Sequence, residues 1–226
     1  MKIGVIIPAA GQGKRMKKDI NKQYLQLGDR PLLAHTLDIF SKNANIKQII
    51  TVVSKDEINY CQRNIINNYD FDGVRLVAGG KTRQQSVYAG LMAFSPAINY
   101  VIIHDGARPL LSQNLLNKVI ANLKKYDAIT TGVPVKDTIK TVDNNEFVKN
   151  TLKRSRLRAI QTPQAFAYDL ICKAHESYNG NLKATDDASL VEALGHKVKL
   201  IKGEYSNLKV TTPIDLVYAE SILERK

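Results

Sequence analysis

The chain has 226 residues, 33 of them Lys or Arg and 21 Asp or Glu, a formal net charge of +12 with 44% apolar residues. That balance excludes a disordered acidic chain and lets the protein bury roughly 70–75% of its unfolded surface without disulfides or metal. Its two cysteines, Cys61 and Cys172, form no C-x-x-C pair, which speaks against a disulfide framework and a cysteine zinc site.

In chain order, residues 3–7 are a short apolar, β-branched run that leads into a turn of small residues, Pro8-Ala9-Ala10-Gly11-Gln12-Gly13. The basic cluster Lys14, Arg15, Lys17, Lys18 and Lys22 follows without a cleavage-site pattern, so the start does not read as a signal peptide. Comparable runs lie at 49–53, 74–77, 101–103 and 128–133, and helical patterns fall near 31–43, 56–69, 83–94 and 112–125. Strand–helix alternation predicts βαβ units. The expected fold is α/β, Rossmann-like and three-layered, with a mostly parallel twisted sheet covered on both faces. Thr82-Arg83-Gln84-Gln85 fits a capping box at the start of one helix. Thr212-Pro213-Ile214-Asp215 supplies the N-cap, first-turn proline and acid of the last helix.

Two stretches break the pattern. Residues 84–104 carry no charge and are long enough for a membrane span, but Gln84, Gln85, Asn99 and Ser95-Pro96 argue against one. Residues 134–161 are charged and poorly amphipathic. They read as strands at 135–142 and 147–152 joined by Asp143-Asn144-Asn145-Glu146, a hairpin arm projecting from a single domain spanning 1–226. A two-stranded arm is marginal alone, so packing against a second subunit is expected. The basic clusters at 14–22 and 149–158 imply phosphate-bearing partners. Charge alone would also allow a nucleic-acid-binding module, but neither cluster is interleaved with aromatics as a single-strand platform would be.

The segment after the first run carries chemistry. Small residues let backbone approach a ligand, and successive N–H groups can hold phosphate oxygens. It is neither G-x-G-x-x-G, because Met16 stands at the last glycine, nor a P-loop, because Arg15 follows Lys14. Asp105 follows the run at 100–104, at the kind of strand end where α/β sheets bind ligands. His104 reads as a packed neighbour, and His35, His175 and His196 show no metal spacing.

Pro8-Ala9-Ala10-Gly11-x-Gly13-x-Arg15-Met16 with Lys22-Gln23-Tyr24 resembles the signature of the sugar and polyol phosphate nucleotidyltransferases. Gly79-Gly80 with Arg83 and Ser86, His104-Asp105-Gly106-Ala107-Arg108-Pro109, Val135-Lys136-Asp137-Thr138 and Asn207-Leu208-Lys209-Val210-Thr211 narrow the likeness. Together they are similar to the cytidylyltransferases of 2-C-methyl-D-erythritol 4-phosphate, over nearly the whole chain. The related ribitol-5-phosphate cytidylyltransferases are the alternative, which Gly203-Glu204-Tyr205-Ser206 would also suit.

The resemblance implies a nucleotidyltransferase fold and CTP and a small polyol phosphate as substrates, without nucleic acid; the missing signal-peptide pattern and the broken 84–104 run lead us to expect a soluble, cytoplasmic enzyme without a membrane partner. The resemblance also implies Mg2+ or another divalent cation at Asp105, and a homodimer formed through the 134–161 arm. Arg15, Lys22 and Lys209 match catalytic cations. Pro8, Ala9, Ala10, Gly11, Gly13, Gly79, Gly80, Arg83 and Ser86 match nucleotide-binding positions, although Lys81 and Gln85 stand where the family often has acids. Asp105, Arg108, Thr138, Arg154 and Thr162 match substrate-side positions. Thr185-Asp186-Asp187-Ala188 is read as a helix cap whose acids favour the dipole.

Overall fold

The computed structural model describes residues 1–11, 21–178 and 184–225. Strand β1 (Ile3–Pro8) is followed by a short pair, β2 (Gln26–Leu27) and β3 (Arg30–Pro31), and by helix α1 (Leu32–Ser41). Next come β4 (Ile46–Val53), α2 (Ile58–Cys61), β5 (Val74–Ala78), α3 (Arg83–Met92), β6 (Tyr100–Ile103), α4 (Gln113–Asn122) and β7 (Ala128–Pro134). A hairpin, β8 (Lys140–Val142) and β9 (Val148–Thr151), precedes β10 (Arg158–Ala167), α5 (Tyr168–Glu176), α6 (Asp187–Ala193), β11 (Lys199–Lys202) and α7 (Pro213–Leu223). The region expected as one helix at 56–69 is composite: a 3-10 turn (Lys55–Glu57), α2, and a π-helical stretch (Gln62–Ile66).

Seven strands form one sheet in the order β11-β7-β10-β6-β1-β4-β5. β1 pairs in parallel with β4 and β6, β4 with β5, and β7 with β11, whereas β10 runs antiparallel between β6 and β7. Alternation along β1 assigns its faces. Ile3, Val5 and Ile7 pack with Leu33, Leu37, Cys61, Leu116 and Val119, so α1, α2 and α4 cover one side. Ile6 packs with Val87, Leu91, Ile171 and Val191, so α3, α5 and α6 cover the other. The result is the expected three-layer, mostly parallel α/β architecture. Helix α7 closes a smaller cluster with Leu25, Leu27, Leu32 and Val210. No helix among the described residues is long and apolar enough to cross a membrane.

The chain first adds β4 and β5 on one flank of β1, then places β6 on the other. The strand order therefore reverses at the carboxyl ends of β1 and β6, where a crevice must open because the connecting loops diverge. Both sequence-level helix starts are realised. Thr82 accepts from the Gln85 N–H while Gln85 reaches back, and the Asp215 carboxylate accepts from the Thr212 N–H at 2.8 Å.

The arm pairs over a shorter length than expected. Lys140, Thr141 and Val142 face Thr151, Asn150 and Val148, with a register shift at the tip. The tip is closed by the Asp143 side chain, which accepts from the Asn145 and Phe147 N–H groups, and Glu146 has a positive φ of 65°. The segment from Val135 to Ile139 stays outside the ladder. Residues from Arg158 onward belong to the main sheet, because Ala159, Ile160 and Gln161 pair with β7.

Gly90 explains how closely α3 approaches the sheet. A Cβ there would lie 2.9 Å from the Ile6 Cγ2 and 3.1 Å from the Val52 Cγ2, both on fully buried side chains. Gly90→Ala is expected to destabilise the fold by about 1–3 kcal/mol through overpacking. Helix propensity alone would give about 1 kcal/mol of the opposite sign. Urea unfolding decides the sign, and a stabilised variant would mean that α3 can retreat from the sheet.

Candidate active site

Four parallel strand ends supply the walls of a pocket. After β1 the chain stays against β4, with the Ala9 N–H donating to the Val52 carbonyl at 2.7 Å. Ser54, just past β4, donates its hydroxyl to the Ala10 carbonyl at 3.1 Å. After β5 the Gly79 N–H donates to the Val53 carbonyl at 2.8 Å. A Cβ on Gly79 would lie 2.8 Å from both the Ala10 Cβ and the Ser86 Oγ, so only glycine lets these two loops meet. Ser86 accepts from the Gly80 N–H at 3.2 Å and donates to the Thr82 carbonyl at 2.9 Å. The Gln85 carbonyl oxygen accepts from the Lys81 N–H at 2.8 Å, so that side chain serves the turn rather than the pocket.

The pocket is lined by Pro8, Ala9, Ala10 and Gly11 from the first loop, with Lys22 and Gln23 beyond it. Gly80, Lys81, Thr82, Arg83 and Ser86 face them from α3 and its approach. Asp105, Gly106 and Ala107 follow β6, and Lys209 reaches in from the segment before α7.

Its electrostatic centre is Asp105, 8% exposed. Lys209 Nζ lies 2.8 Å from its carboxylate, and Arg83 Nε and Arg108 Nε each lie 3.6 Å away. Burial alone would raise the Asp105 pKa. Lys209, then Arg83 and Arg108, more than reverse this and hold the carboxyl well below its ordinary range. Arg83 is anchored from behind, with Nη2 2.7 Å from the Asp187 carboxylate. Asp187 is fully buried and also 3.2 Å from His175 Nε2. Burial works against the charge of Asp187, but Arg83 and then His175 keep it ionised below its usual pKa. Arg83 Nη1 and Arg108 Nε are buried donors with no hydrogen-bond partner among the described residues. Of these two residues only Arg83 lines the pocket, so its Nη1 is the donor an anion there could engage.

Asp105 is set in place by a chain of buried polar groups. Its N–H donates to Thr162 Oγ1 at 3.0 Å, and Thr162 Oγ1 lies 3.1 Å from His104 Nδ1. The other imidazole nitrogen, Nε2, lies 3.1 Å from the Arg108 carbonyl, which can only accept. Nε2 therefore carries a proton, and burial keeps the ring neutral, so Nδ1 accepts from the threonine hydroxyl. That burial pushes the His104 pKa down to about 4. His104 is thus the packed neighbour that the sequence suggests. Asn207 completes the floor: its amide donates to the Thr162 carbonyl at 2.7 Å, and its own carbonyl accepts from Arg108 Nη1 at 2.7 Å.

The structure brings together Pro8, Ala9, Ala10, Gly11, Lys22, Gly80, Arg83, Ser86, Asp105 and Lys209 on one pocket. Gly79 lies behind the wall, in contact with Ala10. Arg108 and Thr162 sit beneath Asp105, both buried. Thr138 and Arg154 are exposed on the arm, where Arg154 Nη1 donates to the Lys136 carbonyl at 2.6 Å, and neither lines this pocket. Gly13 and Arg15 lie outside the described residues.

The sequence reading missed Gln23 and, more importantly, Asp187. Asp186 is the N-cap of α6, accepting from the Ser189 N–H, and Asp187 lies in its first turn as expected, but Asp187 is also the buried counter-ion of Arg83. Its partner is 104 residues away, so no local pattern marks it.

A divalent cation can be tested against these donors. Among the described residues no group of three or more His, Cys, Asp or Glu could hold a metal. The pocket does offer one carboxylate, Asp105, kept ionised. One carboxylate completed by phosphate oxygens and waters is the ordinary environment of Mg2+, so the residues fit such an ion as a shared ligand with substrate.

A sequence profile of the 2-C-methyl-D-erythritol 4-phosphate cytidylyltransferase family matches residues 3–225. The chain is similar to the 2-C-methyl-D-erythritol 4-phosphate cytidylyltransferase of Clostridium novyi, 48% identical over 97% of this chain and 95% of the relative. Among solved structures it is similar to 4-diphosphocytidyl-2C-methyl-D-erythritol synthase from Anaerococcus prevotii. That comparison gives a TM-score of 0.87 and 40% identity, covering 98% of this chain and 96% of the other. The 2-C-methyl-D-erythritol 4-phosphate cytidylyltransferase of Thermus thermophilus superposes with a TM-score of 0.82 at 33% identity, covering 99% of this chain and all of the other.

The neutral His104 makes a pH prediction. Its folded pKa, about 4, lies below the ordinary 6.5, so the unfolded chain binds the proton first as pH falls. Stability is therefore expected to drop between about pH 6.5 and 4 by up to about 3 kcal/mol from this group. Urea unfolding across that range, with the His104 ring resonances followed by NMR, checks it. A ring titrating near 6.5 in the folded protein would contradict the tautomer chain.

Proposed function

The chain belongs to the 2-C-methyl-D-erythritol 4-phosphate cytidylyltransferase family, and from that membership we infer that it transfers CMP from CTP to 2-C-methyl-D-erythritol 4-phosphate in isoprenoid precursor synthesis. The observation that carries the reading is the convergence of Lys22, Arg83 and Lys209 with Asp105 on a small-residue turn at the strand-order reversal.

The chemistry follows from that set. A phosphate oxygen of the polyol substrate attacks the α-phosphorus of CTP in line with the bond to the bridging oxygen. The new P–O bond forms, the α–β bond breaks, and pyrophosphate leaves with that electron pair. The attacking phosphate is already largely ionised near neutral pH, since its second pKa is about 6. No enzyme base is required, and neutral His104, which donates one ring proton to a carbonyl and accepts at the other nitrogen, is not placed to act as one. Lys22 and Lys209 neutralise charge developing on the α-phosphate and the leaving group, and Arg15 joins them. Arg83 Nη1 supplies a donor for the nucleotide phosphates or ribose.

Backbone at Ala9-Ala10-Gly11 and Gly80, with Ser86, reads the cytosine edge, where an amino group separates cytosine from uracil, and Gly79 supports that wall from behind. Arg108 and Thr162 serve the substrate side by holding Asp105. Asp105 would hold Mg2+ or a similar divalent cation, which when bound adds Lewis acidity at the phosphates. The enzyme acts in the cytoplasm, where CTP is made.

We read the chain as one domain whose arm pairs with a second copy. The arm and the start of β10 expose Phe147 (71%), Val148 (58%), Val142 (47%) and Ile160 (44%), an apolar surface suited to a partner. Thr138 and Arg154 lie on that arm and away from the pocket of their own subunit, which suits a role in the partner's site.

The direct test incubates the protein with CTP, Mg2+ and either 2-C-methyl-D-erythritol 4-phosphate or ribitol 5-phosphate, and follows pyrophosphate release. Turnover with the former is expected; turnover with ribitol 5-phosphate alone would overturn the substrate assignment. Arg154→Ala is expected to raise KM for the polyol phosphate at least about tenfold, a loss of roughly 1.4 kcal/mol, with KM for CTP changed less than about twofold. Equal weakening of both substrates would contradict a substrate-side arm.

A further inference from the structure

We propose that Glu57 is a positioning residue for the reaction: its carboxylate grips both sequence neighbours of Lys22 and so fixes that lysine at the pocket. The inference deepens the reading above, because it assigns a function to a residue outside the pocket lining.

Lys22 opens a three-residue 3-10 turn (Lys22–Tyr24) whose preceding residue, Asn21, makes no side-chain capping bond to it. So short a turn fixes few backbone angles by itself and takes its position from its contacts. The ammonium group lies 3.5 Å from the Val210 carbonyl, next to Lys209, so where the turn sits decides how the two lysines face each other. Glu57 supplies the contacts. One carboxylate oxygen accepts from Asn21 Nδ2 and the other from Gln23 Nε2 at 3.4 Å. Asn21 and Gln23 flank Lys22, and Gln23 is only 2% exposed. Two amide donors converging on two oxygens call for a carboxylate, since a glutamine would turn one donor toward another donor.

The segment that carries Glu57 is tied to the opposite wall. Glu57 ends the 3-10 turn that leaves β4, three residues after Ser54, whose hydroxyl holds the Ala10 carbonyl. Residues 54–57 therefore hold the small-residue turn on one side and the lysine turn on the other. Behind Glu57, the Tyr24 ring packs edge-on against Tyr60 at 4.8 Å, and Cys61, Ile65 and Ile66 are buried in the core. A displacement of residues 54–57 would move both phosphate-facing segments together.

Five forms of the full-length protein test this: wild type, Glu57→Ala, Glu57→Gln, Lys22→Ala, and the double variant Lys22→Ala/Glu57→Ala. Each is assayed for steady-state pyrophosphate release against both substrates and for its thermal midpoint. Glu57→Ala is expected to lower kcat about tenfold, with the KM for polyol phosphate unchanged within about twofold. Glu57→Gln, which keeps one acceptor, should fall between it and wild type. In the Lys22→Ala background, Glu57→Ala should change kcat by less than about twofold, because the lysine it positions is gone. A purely structural role would lower the midpoint without changing kcat per folded molecule, or would lower kcat by the same factor in both backgrounds; either result overturns the proposal. If Lys22→Ala loses activity while neither Glu57 variant does, the tether is refuted and the role of Lys22 stands. If Lys22→Ala retains full turnover, the catalytic reading of Lys22 fails, and this proposal with it. Should Glu57→Ala not fold, Glu57→Gln carries the same comparison.

Discussion

A carboxylate buried at the end of a central strand among three cations constrains everything around it. Asp105 could not be ionised there without Lys209, Arg83 and Arg108, and those cations could not be held together without Asp105. Each comes from a different part of the chain: the start of α3, the turn after β6, and the segment before α7. One acid thus fixes the mutual placement of three loops. Its own position is fixed by groups that carry no charge, the Thr162 hydroxyl and the neutral His104 ring, which leave the local field to the cations. The antiparallel strand β10 belongs to the same constraint. It inserts beside β6 and brings Thr162 under the Asp105 N–H, at the point where its pairing with β7 shifts register.

The hydrogen bonds divide the site into fixed and exchangeable parts. Arg83 is locked to Asp187, a fully buried acid, and Arg108 to the Asn207 carbonyl. Removing either anchor would strand an uncompensated buried group, which is costly. Lys209 meets Asp105 at 2.8 Å, but its side chain is 37% exposed. Water competes for its ammonium group, so Lys209 is held less firmly than the two arginines. The cation most easily drawn toward an incoming phosphate is therefore the one nearest solvent, while the two arginines keep the geometry.

Much of this was legible in the sequence because it is written locally. β-branched runs alternating with amphipathic stretches gave the layers, and the capping boxes at Thr82 and Thr212 gave two helix starts within a residue. Asp105 could be singled out because it follows a strand end beside Gly106, whereas Lys22 and Lys209 stand out only through their match to the family's motifs. What escaped was written in pairs of distant residues. Asp187 looks like a cap acid until Arg83 is brought to it across 104 positions. β10 was hidden because its exposed start, Arg158-Ala159-Ile160, adjoins the basic cluster at 149–158 and so reads as part of the arm, whereas its buried half carries Gln161, Thr162 and Gln164 in place of a continuous apolar run. A strand that houses polar site residues violates the pattern by which strands are found, and here the violation marks the site.

The same reasoning explains why a phosphate-transfer site can be built from so little apparatus. The reacting groups bring their own charge and their own leaving group, so the protein has to supply position and positive potential rather than a proton acceptor. Position is a property of the sheet: the reversal of strand order between β1 and β6 leaves a crevice whose floor is backbone, and glycine at position 79 lets two loops close on it. Positive potential is harder to hold, because clustered cations repel one another and resist burial. Two buried acids, Asp105 and Asp187, offset that repulsion while leaving Arg83 Nη1 without a partner among the described residues. A fully neutralised cluster would have no field left for a triphosphate, and an uncompensated one would not fold; three cations around two acids, Arg83, Arg108 and Lys209 with Asp105 and Asp187, lie between those limits.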